Sequence, residues 1–372
     1  MKARVAVIVG AVALALIVIG GPLYMAINSD LKPEQKTPPR EATTAAAKHF
    51  LDAYVDPDGR VVRRDQGNDT VSEGQAYAML VAVAIGDKSR FESAWTWTKT
   101  NLIQPNGLMA WNWKDGSVVD SQPASDADLD AARALAVAAR QFDEPRYGED
   151  AKALAAAILQ FETLDTAGSK TPVLLAGPWA TEAPHYTNPS YHSPRTFDEL
   201  AKLTGNARWN ALNEAERART SALISPDRDT VRLPSDWARV DGNGTVVASS
   251  PPGKAEEPKY SFDAVRLPIR LAESCNSADR EQARKIWSVL NRKEDTRTAA
   301  GLSLQGDVVD STTTAVAAAA SAAGAKAGGD SEQMYQLLNR ADQIEKDHST
   351  YYGSAWAALG RIMLTTDWLG VC

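Results

Sequence analysis

The chain has 372 residues, 44% hydrophobic and 23% charged, which excludes a disordered polymer and leaves ample length for a core. Forty Lys+Arg against 47 Asp+Glu give a net charge of −7, which argues against nucleic acid as a partner. Two cysteines and four scattered histidines, with no HExxH, leave little material for a metal site. Lys2 and Arg4 precede an apolar run from Val5 to Ile27. That run exceeds the ~7–15 apolar residues of a secretory signal and reaches the ~20 that span a bilayer. The positive end is expected to stay inside. Residues 1–27 therefore predict a signal-anchor with the remainder exported, a long cleaved signal peptide being the alternative. Residues 28–40, with Pro33, Pro38 and Pro39, read as a tether. A single catalytic domain is expected over 41–372.

Apolar residues then recur at three- and four-residue spacing. They predict helices over 42–54, 72–86, 88–102, 126–142, 147–163, 190–204, 206–223, 259–274, 278–293, 311–327, 331–346 and 351–366. Alanine-rich stretches at Ala131–Ala139 and Ala315–Ala323 suit helices packed closely on one another. Thr230–Leu233 and Gly244–Ala248, around Asp241-Gly242-Asn243-Gly244, predict one small hairpin. No short fixed period marks a solenoid. Twelve helices fit an all-α (α/α)6 barrel with a β-hairpin excursion. Export makes a disulfide between Cys275 and Cys372 possible, two unpaired thiols being the alternative.

Three carboxylate clusters stand at predicted helix starts. Glu73 follows Ser72, which with Gln75 reads as a capping box. Asp126 and Asp128 follow Ser125. Asp263 follows Ser261, a predicted N-cap. Acidic residues favour helix N-termini for stability alone, so each has a purely structural reading. Gly74 tips the balance at the first, because glycine inside a helix costs ~1 kcal/mol and suggests close approach of a ligand. In a barrel of parallel inner helices, all three carboxylates open at one end. Ten tryptophans beside six phenylalanines are the composition's positive hint. Trp95, Trp97, Trp209, Trp287 and Trp356 lie on predicted helices and are expected in the core. Trp111 and Trp113, in a short segment before the second cluster, are expected as platforms for sugar rings.

These clusters, in this order, resemble glycoside hydrolase family 8. The segments are Ser72-Glu73-Gly74-Gln75, Ala124-Ser125-Asp126-Ala127-Asp128, Asn188-Pro189-Ser190-Tyr191, Phe262-Asp263-Ala264-Val265-Arg266 and Tyr352-Gly353-Ser354-Ala355. The resemblance implies an (α/α)6 barrel that hydrolyses β-1,4-linked glycans with inversion. It implies Glu73 as general acid, Asp263 as general base and Asp126 as the group holding the sugar at the cleavage point. Arg266, Tyr191, Asp128 and Tyr352 would contact substrate, with no metal or organic cofactor. Phe262 stands where many members carry tyrosine, which puts turnover in doubt unless Tyr260 substitutes. Inversion needs a protonated acid, so burial or a neighbouring carboxylate such as Asp126 must outweigh the helix dipole at Glu73. The expected activity is that of a monomeric, membrane-tethered endo-β-1,4-glucanase acting on polysaccharide. Chitosan or xylan as substrate, or a non-catalytic glycan-binding protein of the envelope, are the alternatives.

Overall fold

The computed structural model describes residues 39–372. The predicted signal-anchor and most of the predicted tether lie outside the described residues. Among those described, no helix is long and apolar enough to cross a membrane. Residues 43–372 form one compact unit.

Twelve α-helices follow in chain order among the described residues. They are α1 (Pro39–Tyr54), α2 (Ser72–Ala84), α3 (Lys88–Asn101), α4 (Ser125–Gln141), α5 (Pro145–Phe161) and α6 (Pro194–Thr204). Then come α7 (Arg208–Ile224), α8 (Leu267–Ala272), α9 (Ser277–Leu290), α10 (Ala315–Ala327), α11 (Ser331–Asp347) and α12 (Tyr351–Thr365). The even-numbered helices touch one another in sequence, and α12 returns to α2, so they close a ring. Each of α3, α5, α7, α9 and α11 packs on the even-numbered helix before it. Sequence chemistry explains this division. Helices α2, α4, α10 and α12 are buried almost all round and rich in alanine, which lets backbones approach. At Gly360 of α12, an added Cβ would sit 3.0 Å from the Ala319 Cβ of α10. Helices α5, α9 and α11 carry apolar residues on one face only.

Buried ion pairs fix the sense of the ring. Arg266 binds Asp126, Arg270 binds Asp130 and Glu273 binds Arg133, each pair 140 residues apart. A constant difference in numbering means that α4 and the segment 266–273 run parallel. Links from an even helix to the next odd one are short, for example 85–87, 142–144 and 328–330. Links from odd to even are long, except at 348–350, and carry all eleven described strands. Long links therefore gather at the N-terminal ends of the ring helices. Three of the four sheets are three-stranded: β1–β2–β3 (Thr70–Val71, Asn112–Lys114, Ser117–Asp120), β6–β7–β8 (His185–Thr187, Trp237–Val240, Val246–Ser249) and β9–β10–β11 (Lys259–Tyr260, Ala299–Ser303, Val308–Thr313). Strands β4 (Thr163–Asp165) and β5 (Pro172–Leu174) make the fourth.

The sequence reading under-counted the strands and misplaced some boundaries. The hairpin turn at 241–244 stands, with Asp241 accepting from Asn243 N and Thr245 N. Its first strand is Trp237–Val240, not Thr230–Leu233, because Pro234 falls between them. The predicted helix 259–274 is a strand, a 3-10 turn at Ala264–Arg266 and then α8. Pro268 lies in the first turn of α8, the place in a helix that tolerates a missing N–H. At the opposite end of the ring, Cys275 and Cys372 form a disulfide that closes a separation of 97 residues.

Candidate active site

The N-terminal ends of the ring helices surround a cleft of about 700 Å³, lined by Glu73, Tyr77, Phe262, Asp263, Arg266 and Tyr352 among others. Glu73 is the second residue of α2, which no side chain caps. Its Oε1 accepts the indole N–H of Trp111 at 3.3 Å, and its Oε2 accepts the Ser72 hydroxyl at 3.3 Å. Asp126 is the second residue of α4 and is buried. Its Oδ1 accepts Ala127 N at 2.9 Å, and its Oδ2 meets Arg266 Nη1 at 2.5 Å. Arg266 is the hub. Its Nη1 also donates to Tyr77 Oη at 3.1 Å, and its Nη2 donates to Asp263 Oδ1 at 2.7 Å. The guanidinium lies 5.5 Å from the centre of the Tyr191 ring. One buried cation thus ties together carboxylates from two distant parts of the chain.

Asp236 shapes the loop that carries Asp263. Its Oδ1 accepts Ser261 N at 2.9 Å and Ala264 N at 2.8 Å, and its Oδ2 accepts Ser261 Oγ at 2.5 Å. Ser261 is therefore not the N-cap expected of it. Asp236 escaped the sequence reading because a lone aspartate ahead of a strand matches no motif.

Electrostatics separate the two reacting candidates. Burial, and next the charge of Asp126, push Glu73 up to about 7, against opposing pulls from Arg266 and Trp111. Burial also raises Asp263 to about 6, helped by Asp236 and Asp126 and opposed by Arg266 and Asn188. Both are strongly displaced carboxyls in one cleft, the pattern expected of acid–base chemistry. The Asp263 side chain is still 34% exposed, so it can reach solvent water.

Several expectations change. Trp113 is not a free platform: its ring meets Trp97 edge-on at 5.3 Å and lies under the Arg60 guanidinium at 4.5 Å. Trp111 does reach the site, through Glu73. Asp128 cannot contact substrate, because it is wholly buried and its Oδ1 accepts Met109 N. Tyr352 lines the cleft and donates its hydroxyl to Phe262 O at 2.6 Å. Tyr260 is buried in its strand and does not replace the hydroxyl missing at the half-exposed Phe262. Gly74 accommodates no ligand: an added Cβ would lie 2.7 Å from Tyr351 Oη. The Ser72–Gln75 capping box is absent, since Gln75 instead accepts from Val61 N and donates to Thr98 Oγ1. The five helical tryptophans are buried as expected. A cluster the sequence reading overlooked, Trp179 with Tyr186 and Trp237, presents Trp179 38% exposed. Strand alternation could have flagged Tyr186 and Trp237, but nothing linked them to Trp179. Among the described residues, no group of three His, Cys, Asp or Glu is placed to hold a metal ion.

The model of glycosyl hydrolases family 8 matches residues 39–366. The chain belongs to this family. Curated family relatives include an endoglucanase of Cellulomonas uda, 30% identical over 63% of this chain and 64% of that protein. A probable endoglucanase of Novacetimonas hansenii is 34% identical over 59% of this chain and 64% of that protein. The matched stretch thus spans less than two thirds of each of these two relatives. Solved family 8 structures align more completely. The endoglucanase Cel10 of Klebsiella pneumoniae superposes with a TM-score of 0.72 at 25% identity, covering 86% of this chain and 98% of that one. The endo-β-1,4-glucanase CMCax of Acetobacter xylinum gives 0.70 at 26% identity, covering 87% and 97%.

Proposed function

We propose that this family 8 protein is an endo-acting glycoside hydrolase that cleaves β-1,4-glucosidic bonds in cellulose-like β-glucan, on an (α/α)6 barrel. The observation that carries the reading is one cleft holding Glu73 and Asp263, both displaced upward, with Asp126 linked to Asp263 through Arg266. Endoglucanase is also the name borne by the relatives above.

Glu73 would hold a proton and deliver it to the glycosidic oxygen. Asp263, paired with Arg266, would take a proton from water attacking the opposite face of the ring, which gives inversion. Asp126, fixed by Arg266, would accept hydroxyls of the sugar at the cleavage point. Trp111, Tyr191 and Tyr352 would border that ring, and the exposed Trp179 would stack on a more distant one. The domain is assigned to 41–372 and acts as a monomer. Lys2, Arg4 and the apolar run to Ile27 favour an exported protein held by an N-terminal anchor, with 28–40 as tether. A groove beyond Phe262 carries Glu256, Glu257 and Asp310 against one cation, Lys259, which pairs with Glu256, and this acid excess favours cationic chitosan as the second reading.

The test is release of reducing ends by the purified full chain from carboxymethyl cellulose, mixed-linkage β-glucan, xylan and chitosan. Glucan cleavage that falls at least a thousandfold in Glu73→Gln is expected, because proton delivery and leaving-group departure fail together. Unchanged activity in that variant would remove Glu73 from the role.

A further inference from the structure

The groove beyond Phe262 has a volume of about 630 Å³, close to that of the cleft itself. The two cavities meet. Phe262 lines both, and strand β11 walls both in turn. Val309, Asp310 and Ser311 of that strand face the groove, and Thr312 and Thr313 face the cleft. A strand rises about 3.3 Å per residue, so five residues carry one wall some 13 Å out from the cleft. The pairing of β11 with β10 is irregular at Gly301, which also borders the groove. A Cβ added there would lie 3.2 Å from the Asp310 Cβ, so glycine lets the two strands press together where the groove forms.

Phe262 stands at the junction as an apolar ring in the open, 52% exposed, and Val309 beside the groove is 60% exposed. Water gains nothing from such surface, and apolar faces rimmed by polar groups mark a ligand. The backbone under the ring is pinned on three sides. Asp236 Oδ1 accepts the N–H groups of Ser261 and Ala264, and Phe262 O accepts the Tyr352 hydroxyl at 2.6 Å. The Tyr352 ring backs the Phe262 ring at 6.4 Å and 61°. A platform held this way loses little freedom when a flat face stacks on it. The rim supplies what sugar hydroxyls need, since Asp310, Ser311 and Glu257 offer oxygens.

We propose that this groove takes further rings of the same β-1,4-linked chain that lies across the cleft, and that Phe262 is the stacking platform at its threshold. The proposal rests on the glycosidase reading of the cleft and adds to it a binding site and a specificity-determining residue. Phenylalanine in place of tyrosine at this position is then a working ring face, and the hydroxyl is dispensable there.

Binding as a function of chain length tests this. Glu73→Gln serves as the parent protein, so that ligands are bound without being cleaved. Isothermal titration gives Kd for oligosaccharides from two to six units, in a cellulose-derived series and in a glucosamine series. The quantity read is the ratio of Kd for the trimer to Kd for the hexamer. Adding Phe262→Ala should lower that ratio about tenfold, and adding Phe262→Tyr should preserve it. Ser311→Trp, at an exposed strand position outside the Asp263 loop, fills the groove and should lower the ratio as well. A ratio left at the parent value by either Phe262→Ala or Ser311→Trp overturns the proposal. So does an equal weakening of trimer and hexamer. The series that shows the length-dependent gain names the sugar, and a gain confined to glucosamine and lost in salt assigns the groove to a cationic chain. Reducing ends released by the parent would contradict the assignment of the acid, while the ratio would still report on the groove. Binding of neither series by the parent would contradict the glycan reading, and the proposal with it.

Discussion

At the scale of single residues, the proposed function turns on holding two carboxyls at different tasks within one cleft. As the proposed acid, Glu73 would act while protonated, so kcat/KM should fall as pH rises through about 7. As the proposed base, Asp263 would act while ionised, so kcat/KM should also fall as pH drops through about 6. A narrow bell with its maximum between these values is the expected profile for the free enzyme, measured on a soluble glucan. The same displacement has a stability consequence. Glu73 in the fold ionises above its ordinary value, so its contribution to stability is full below that ordinary value and is lost as pH rises through about 7. Glu73→Gln should therefore leave the urea midpoint unchanged near pH 4 and raise it at pH 8. The three carboxylates were legible in sequence because each lies just after a Ser ahead of an apolar period, although neither Ser72 nor Ser125 caps its helix and Asp263 stands before a 3-10 turn rather than in α8. Their partners were less so. Asp236 acts on the Asp263 loop from a segment brought to it by the fold, and no local spacing announces it. The reading also gave Asp128 to the substrate, although its side chain turns into the interior two residues after Asp126.

Among the elements, the parallel run of α4 and the segment 266–273 places the cleft. Arg266, Arg270 and Glu273 meet Asp126, Asp130 and Arg133 at one constant offset, so a single register sets the hub and two deeper pairs together. Arg270 and Asp130 are both 1% exposed and joined by two hydrogen bonds of 2.7 Å. Removing one partner strands a buried charge. Asp130→Ala is expected to destabilise the fold by about 3–5 kcal/mol, read from urea unfolding. A loss below about 1 kcal/mol would mean that the pair does not set the register. Helix existence was readable because alternating buried and one-sided helices keep the 3.6-residue period. Boundaries slipped where a turn precedes a proline, as at Pro194 and Pro268, because the apolar pattern runs on past the true start. The short strands went largely unread, since two to six residues hold too few alternations to register.

For the whole molecule, the ring has a working end and a closed end. The long links, most strands and all the reacting candidates gather at the N-terminal end. At the other, the C-terminal segment lies over Arg133, Glu273 and Ile362, with Cys372 tied to Cys275. Arg195 donates to Cys275 Sγ at 2.7 Å and to Val371 O at 3.1 Å, fastening the same segment. Cys372→Ser should lower stability by about 2–5 kcal/mol while leaving kcat/KM at room temperature within about twofold. A large loss of activity at unchanged stability would show that the two ends are coupled. The central claim is the inverting division of labour between Glu73 and Asp263. It is tested most directly by proton NMR of the first reducing ends released from a β-1,4-glucan, before mutarotation. The α-anomer is expected, and the β-anomer as first product would rule out inversion.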